Sequence, residues 1–267
     1  MATEVWRLIE SGALDGATNM AMDEALVRFS TEPVPVVRFY GWQPYTISLG
    51  YHQNYQEIDL EKCHQAGIGI VRRPTGGRAI YHAREVTYSV IMPRGSRWYE
   101  LPPLEVYNHI SQALICGLQR LNLPVTLERT RTQVNEKTYI NKFACFATSA
   151  RYEIHAQGKK LVGSAQRRFE QGLLQHGSIL LGPEHLRLGE FLKNDTGKII
   201  DELNEHTIWI EQLLHQRISF NEVVESIKYG FTQYFNVELK PYSLSNYEMN
   251  GTNQLKQKYT DFRRKEK

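Results

Sequence analysis

Cysteine is scarce in this chain. Cys63, Cys116 and Cys145 are the three cysteines in 267 residues, with no CxxC pair and no metal-ligand spacing against the nine histidines. This excludes a disulfide framework and a structural zinc site, and it suits a reducing, cytoplasmic compartment. No stretch approaches the ~18 uninterrupted apolar residues that a membrane-spanning helix needs. The N-terminal Met1-Ala2-Thr3-Glu4-Val5-Trp6-Arg7 has no basic region followed by an apolar run, so no secretory leader is expected. Charge excess is small too, at +3. Much of it lies in Lys256-Gln257-Lys258 and Arg263-Arg264-Lys265-Glu266-Lys267, which read as a solvated end. Basic and aromatic residues are not interleaved, and nucleic-acid binding has no support. A mild pull toward an acidic partner protein remains. Also missing are internal repeats, the GxxxxGK[ST] and GxGxxG phosphate loops, and HExxH.

What is present describes an enzyme-sized globular protein, 41% hydrophobic and 23% charged, expected as one domain over residues 1–267. Residues 3–9 read as a strand. Thr18 to Phe29 carries Met22, Ala25, Leu26 and Phe29 at helical spacing, with Thr18 or Asn19 as N-cap and Asp23 and Glu24 near the positive helix end. Strands follow at 36–40 and 46–50, joined through Gly41-Trp42-Gln43-Pro44, then a short helix at 59–66 and a strand at 69–73. Thr87 to Met92 is a strand, and Pro102-Pro103 precede an amphipathic helix from about 104 to 121. Segments 153–155 and 160–162 flank the turn Gln157-Gly158, and 171–181 adds a further strand. From about residue 184 the chain reads as helical: 186–193, 207–215, and 220–235 with Ser219 and Glu222 as a capping box. This order predicts an α/β (α+β mixed) fold with helices on one side of a sheet.

Two places carry chemistry. Cys145 lies at a loop edge between Asn141-Lys142 and Thr148-Ser149, and Lys160 follows it by fifteen residues. A thiol with a cation beside it suits acyl transfer through a thioester, because the positive charge favours the thiolate. On a strand Lys159 and Lys160 project oppositely, so only one of them faces an enclosed site. Cys63 and Cys116 read as small buried hydrophobes. The second place is Arg72-Arg73-Pro74-Thr75-Gly76-Gly77-Arg78-Ala79-Ile80-Tyr81-His82. Paired glycines let a backbone approach a ligand, and the arginines can hold a phosphate or fix a carbonyl. A surface turn has the same composition, so residue types alone leave both readings open. His82 and His176 each lie near glycines, where either can orient a substrate.

The turn, followed by Glu85-Val86-Thr87-Tyr88-Ser89-Val90, resembles the signature of the biotin/lipoate attachment superfamily. Further matching pieces are Asn19 to Leu26, Arg38 to Pro44, Cys145-Phe146, Tyr152-Glu153, Lys160 to Gln166, and Leu174-Gln175-His176-Gly177-Ser178-Ile179-Leu180. Together they resemble the octanoyltransferases of the lipoate-assembly pathway, in the ligase-like branch of Gram-positive bacteria. That resemblance implies a mixed β-sheet packed by helices, like the biotin/lipoate ligase catalytic domain. It implies Cys145 as the nucleophile that takes an octanoyl group from acyl carrier protein, and Lys160 as its partner. The acceptor is a lysine of a lipoyl-accepting domain, with the glycine-cleavage H protein favoured. Arg72, Arg73, Thr75, Gly76, Gly77, Arg78 and His82 carry over as walls of the acyl and carrier-arm site. So do Gly163, Ser164, Ala165, His176 and Gly177. No cofactor is implied, since octanoyl-phosphopantetheine arrives on the carrier, and a monomer is expected. The rivals are a lipoate–protein ligase using ATP, an amidotransferase between H protein and dehydrogenase subunits, and a non-catalytic carrier-binding module. The transferase loop resembles Cys-Phe-Asp-Ala-Pro-Ser, whereas this chain has Cys145-Phe146-Ala147-Thr148-Ser149-Ala150 and lacks the acidic residue and the proline.

Overall fold

The computed structural model describes residues 3–128, 153–193 and 197–263. Its chain order begins β1 (Glu4–Leu14), α1 (Gly16–Arg28), β2 (Val36–Trp42), β3 (Thr46–Leu49), α2 (Leu60–Gln65), β4 (Gly69–Arg72), β5 (Ile80–His82) and β6 (Glu85–Pro93). There follow α3 (Pro103–Arg120), β7 (Val125–Glu128), β8 (Glu153–Ala156), β9 (Lys159–Arg168) and β10 (Gly172–Leu180). A 3-10 segment at Pro183–Phe191 leads into α4 (Lys198–His206), α5 (Ile210–Leu214), α6 (Phe220–Phe235), β11 (Val237–Pro241) and α7 (Asn246–Thr260).

Eight strands form one sheet in the order β11-β1-β2-β6-β10-β9-β8-β7, and β4-β3-β5 form a second. Strand β1 runs parallel to both β11 and β2, while β2–β6, β6–β10 and β10–β9 are antiparallel, so the large sheet is mixed. Alternation on β6 sets its two faces. Val86, Tyr88, Val90 and Met92 join the core beneath α3 and α6 with Val106, Ile110, Leu114, Ile227 and Phe231. Ile91 faces the other way, with Val36, Leu174 and Leu26 of α1. Helices therefore cover both faces rather than the one side that patterning suggests, and these strands are buried on both sides.

Local chemistry explains the element ends. Helix α6 starts at the capping box of Ser219 and Glu222, and α3 starts with Pro103, whose missing N–H costs nothing in a first turn. Helix α1 starts earlier than its apolar spacing indicates. Asp15 Oδ1 accepts from Thr18 N at 2.9 Å and caps it in place of Thr18 or Asn19. Asp23 and Glu24 lie buried inside the helix rather than at a solvated end. Glu24 accepts from Arg28, Lys258 and Tyr259, and Lys256 reaches Asp15, so α7 docks on α1 through these ion pairs. Lys256 and Lys258 are thus packing residues, not part of a solvated tail. The helical C-terminal region also contains the edge strand β11, whose Val237 is buried beside Phe235.

Candidate active site

A cavity of about 360 Å³, its open end included, lies between the small sheet and the large one. Ser48 of β3, Ile80 and His82 of β5, and Arg73 form one wall. The facing wall is Tyr40 and Trp42 of β2, Thr87 of β6, His176 to Ser178 of β10 and Gly163 to Ala165 of β9, with Met20 of α1 also on the lining. Met20, Tyr40 and Trp42 are buried, whereas Ser164, Ala165 and Gly177 are half-buried. The blind end therefore lies toward α1 and β2, and the mouth opens at β9 and β10.

Polar residues build most of this wall, yet its surface is apolar, because their polar atoms are turned into one another. Glu85 Oε1 accepts from Thr87 Oγ1 and Ser178 Oγ, both at 2.5 Å, and from His82 Nδ1 at 2.7 Å. A carboxylate only accepts, so His82 Nδ1 donates to it, and His82 Nε2 shares a hydrogen bond with Ser48 Oγ at 2.7 Å. Ser48 in turn accepts from Arg73 Nη1, and Trp42 Nε1 donates to Thr87 Oγ1 at 2.7 Å while its ring stacks on His82. A second chain runs from Asp23 to His176 Nδ1 (3.1 Å), and from His176 Nε2 to Thr75 Oγ1 (2.6 Å). Asp23 also accepts from Arg38 Nη1 at 2.7 Å, Ser89 Oγ at 2.8 Å and Tyr40 OH at 2.9 Å.

These pairings set the charges. Burial alone would raise the Asp23 and Glu85 carboxyls. The Arg38 guanidinium beside Asp23, and the His82 ring beside Glu85, hold them below the ordinary carboxylate values instead. Burial lowers His176 against the pull of Asp23, keeping the imidazole neutral beside the cavity. Burial raises the Cys63 thiol to about 11, an inert core cysteine, while Cys116 is half-buried.

Of the residues marked out in the sequence, Arg73, His82, Gly163, Ser164, Ala165, His176 and Gly177 line the cavity. Arg72 does not. It ties the carbonyls of Gly50, Tyr51, Gln53 and Phe262 together. Arg73 likewise clasps the turn, donating to the carbonyls of Gly76 and Arg78, so both arginines fix backbone carbonyls of this chain. Thr75 stands one hydrogen bond behind the wall, Arg78 is half-buried, and Gly76 and Gly77 are exposed. Gly77 has φ +91°, and its carbonyl lies where a side chain on Gly50 would sit.

Lys160 is the buried one of its pair, 2% exposed, and its ammonium donates to Glu153 Oε1 at 2.6 Å. Lys159 points away and donates to the carbonyl of Asn204. Cys145 and its Ala147 to Ala150 neighbours lie outside the described residues. Residue-by-residue reading passed over Ser48, Thr87 and Ser178 as wall residues. Their signal was alternation: Thr46 and Ser48 are polar while Ile47 and Leu49 are apolar, which marks a buried polar face. Among the described residues no group of His, Cys, Asp or Glu is arranged to hold a metal, and no helix is long and apolar enough to cross a membrane.

The mixed sheet, with a blind cavity facing the small sheet, has the architecture of a lipoyl-attachment catalytic domain. The lipoyl protein ligase A/B catalytic domain matches residues 15–232. A bipartite lipoate protein ligase from Thermoplasma acidophilum shares the fold, with TM-score 0.78 over 96% of this chain and 93% of that one, at 21% identity. Lipoate-protein ligase A bound with ATP does so with TM-score 0.74, over 97% and 95%, at 22% identity. Sequence likeness is narrower. Octanoyltransferase LipM of Bacillus subtilis (strain 168) is 36% identical over 96% of this chain and 95% of its own length. The Anoxybacillus flavithermus (strain DSM 21510 / WK1) octanoyltransferase LipM is 38% identical over 97% of each. The chain belongs to the octanoyltransferase LipM family, and it is an acyltransferase.

Proposed function

We propose that the chain moves an octanoyl group from octanoyl-acyl carrier protein, through a thioester on Cys145, to a lysine of a lipoyl-accepting domain such as the glycine-cleavage H protein. The observation that carries this reading is the apolar blind cavity opening beside β9, the strand that also holds the buried Lys160. The cavity's apolar lining suits an acyl chain. Each methylene buried there contributes ~0.8 kcal/mol, and the committed polar atoms offer a hydrocarbon nothing to displace.

The chemistry needs two steps. The Cys145 thiolate attacks the carrier thioester, and the phosphopantetheine leaves as its thiolate, which takes a proton from water. The acceptor amine then attacks the enzyme thioester to give an amide. Thioester-to-amide transfer runs downhill and needs no nucleotide. Lys160, oriented by Glu153, places an ammonium beside the reacting carbonyl, where a well-aimed donor is worth ~3 kcal/mol as negative charge develops. Arg73, His82 and His176 hold the chain-binding wall in shape.

Intact mass spectrometry tests the reading. The protein mixed with octanoyl-carrier protein and no ATP gains one octanoyl group on Cys145, and C145A gains none. Adding the acceptor domain discharges the adduct. Activity that requires ATP and survives in C145A assigns the ligase chemistry instead.

A further inference from the structure

Helix α1 fixes where the cavity ends. Asn19 Nδ2 donates to the carbonyls of Leu14 and Gly41, at 3.1 and 2.9 Å, and Asn19 Oδ1 accepts from Arg38, so the helix start is tied to β1 and β2. The next residue, Met20, is 1% exposed and lines the blind end with Tyr40 and Trp42. Those two rings are pinned. Tyr40 donates to Asp23 and carries the Arg38 guanidinium over its face, while Trp42 donates to Thr87 and stacks on His82. Moving either ring strips a buried group of its hydrogen bond, which is costly inside a protein. Met20 differs, being an unbranched thioether that fits its place by packing. Helical side chains lean toward the N-terminus, which lays Met20 over Gly16 one turn earlier. A side chain added at Gly16 would meet Val71 at 3.2 Å, so β4 closes off that side. Val71, Tyr259 and the half-buried Leu255 join Met20 in one apolar cluster and do not line the cavity. The thioether therefore separates the cavity from further apolar core.

We propose that Met20 is a specificity-determining residue, whose side-chain length sets the longest acyl chain the site accepts. This rests on the reading of the cavity as the acyl site. The polar atoms of the wall are committed to one another, so neither charge nor hydrogen bonding grades chains by length. Discrimination falls on contact at the closed end. A chain that reaches past the thioether must push it into Val71 and the α7 side chains, and a close-packed interior resists inserted methylenes. Shortening Met20 joins the cavity to a region that is already apolar, where a longer chain finds matching surroundings.

The test is a competition. Octanoyl- and decanoyl-carrier protein are mixed in equal amounts with the enzyme and a lipoyl-accepting domain, and mass spectrometry reads the ratio of decanoylated to octanoylated acceptor. Both products form in one tube, so a partly unfolded variant scales them alike and leaves the ratio untouched. Wild type makes mainly octanoylated acceptor. Met20→Ala removes Cγ, Sδ and Cε, room for about two methylenes; each one buried favours the longer chain ~4-fold, so the ratio rises ~10-fold or more. Met20→Val moves it the same way by less. Met20→Phe, tested with hexanoyl- against octanoyl-carrier protein, shifts the ratio toward the shorter chain. A ratio within threefold of wild type in both Met20→Ala and Met20→Val overturns the proposal, and so does a wild type that transfers octanoyl and decanoyl groups equally. If acylated acceptor forms without an adduct on Cys145, the thioester step fails while the ratio still decides the role of Met20. If the wild-type protein acylates nothing, the transfer reading falls and this assignment falls with it.

Discussion

Asp23→Asn is the substitution on which the architecture of the site bears most heavily. The Asp23 and Arg38 side chains are both fully buried and bonded at 2.7 Å. Asp23 Oδ1 accepts from Arg38 and Ser89, and Oδ2 from Tyr40 and His176. Asparagine keeps one oxygen for two of these donors and turns an NH₂ toward the other two. Arg38 retains Asn19 Oδ1 at 2.6 Å and Ser11 Oγ at 3.0 Å but loses its counter-charge. Removing one partner of a buried pair costs ~3–5 kcal/mol, a large share of the ~5–15 kcal/mol that holds a domain together. Urea unfolding of D23N is expected to show a loss of that size. The Arg38→Met change alone also destabilises, by leaving the carboxylate unpaired. The double variant D23N/R38M recovers much of the loss, since replacing both charges removes the uncompensated one. Octanoyl transfer falls in D23N even where it remains folded, because His176 loses the acceptor that orients it toward Thr75. A loss below ~1 kcal/mol in D23N, or a double variant as unstable as the sum of the singles, refutes the reasoning.

Three other substitutions probe separate parts of the molecule. Lys160→Met is expected to slow adduct formation by ~10²-fold; wild-type kinetics by rapid-quench mass spectrometry remove Lys160 from the mechanism. Gly50→Ala sets a methyl 1.8 Å from the Gly77 carbonyl oxygen, so the arginine-clasped turn must shift. A loss of ~1–3 kcal/mol in urea unfolding follows, and an unchanged midpoint contradicts the close packing. Burial brings His185 down to about 4. The pKa is depressed on folding, so the protein keeps full stability above the unfolded value of ~6.5 and loses ~3 kcal/mol as pH falls toward 4. His185→Asn removes that part of the pH slope, and an identical slope in the variant refutes the assignment.

Legibility followed the range of the forces involved. Helix α6 could be read to its ends because its capping box and apolar spacing are local. The motif around Gly76-Gly77 stood out for the same reason, but its arginines did not declare their partners. Arg72 reaches Phe262, 190 positions away in the chain. Edge strand β11 has only five residues and one buried apolar side chain, so alternation carried little signal there. Asp23 and Glu24 looked like ordinary acids near the positive helix end, since nothing near them in sequence announces Arg38 or Lys258.

By itself the sequence determined the class of fold and the family, because order and spacing along the backbone encode these. Only the tertiary structure decided which lysine is buried, that Arg72 and Arg73 each bond backbone carbonyls of this chain, and that polar side chains can line an apolar cavity. The physical reason is that an isolated side chain has hydrogen-bonding capacity but no assigned partner. Partners such as Glu153 for Lys160, or Asp23 for His176, are chosen only when strands from distant parts of the chain come into register.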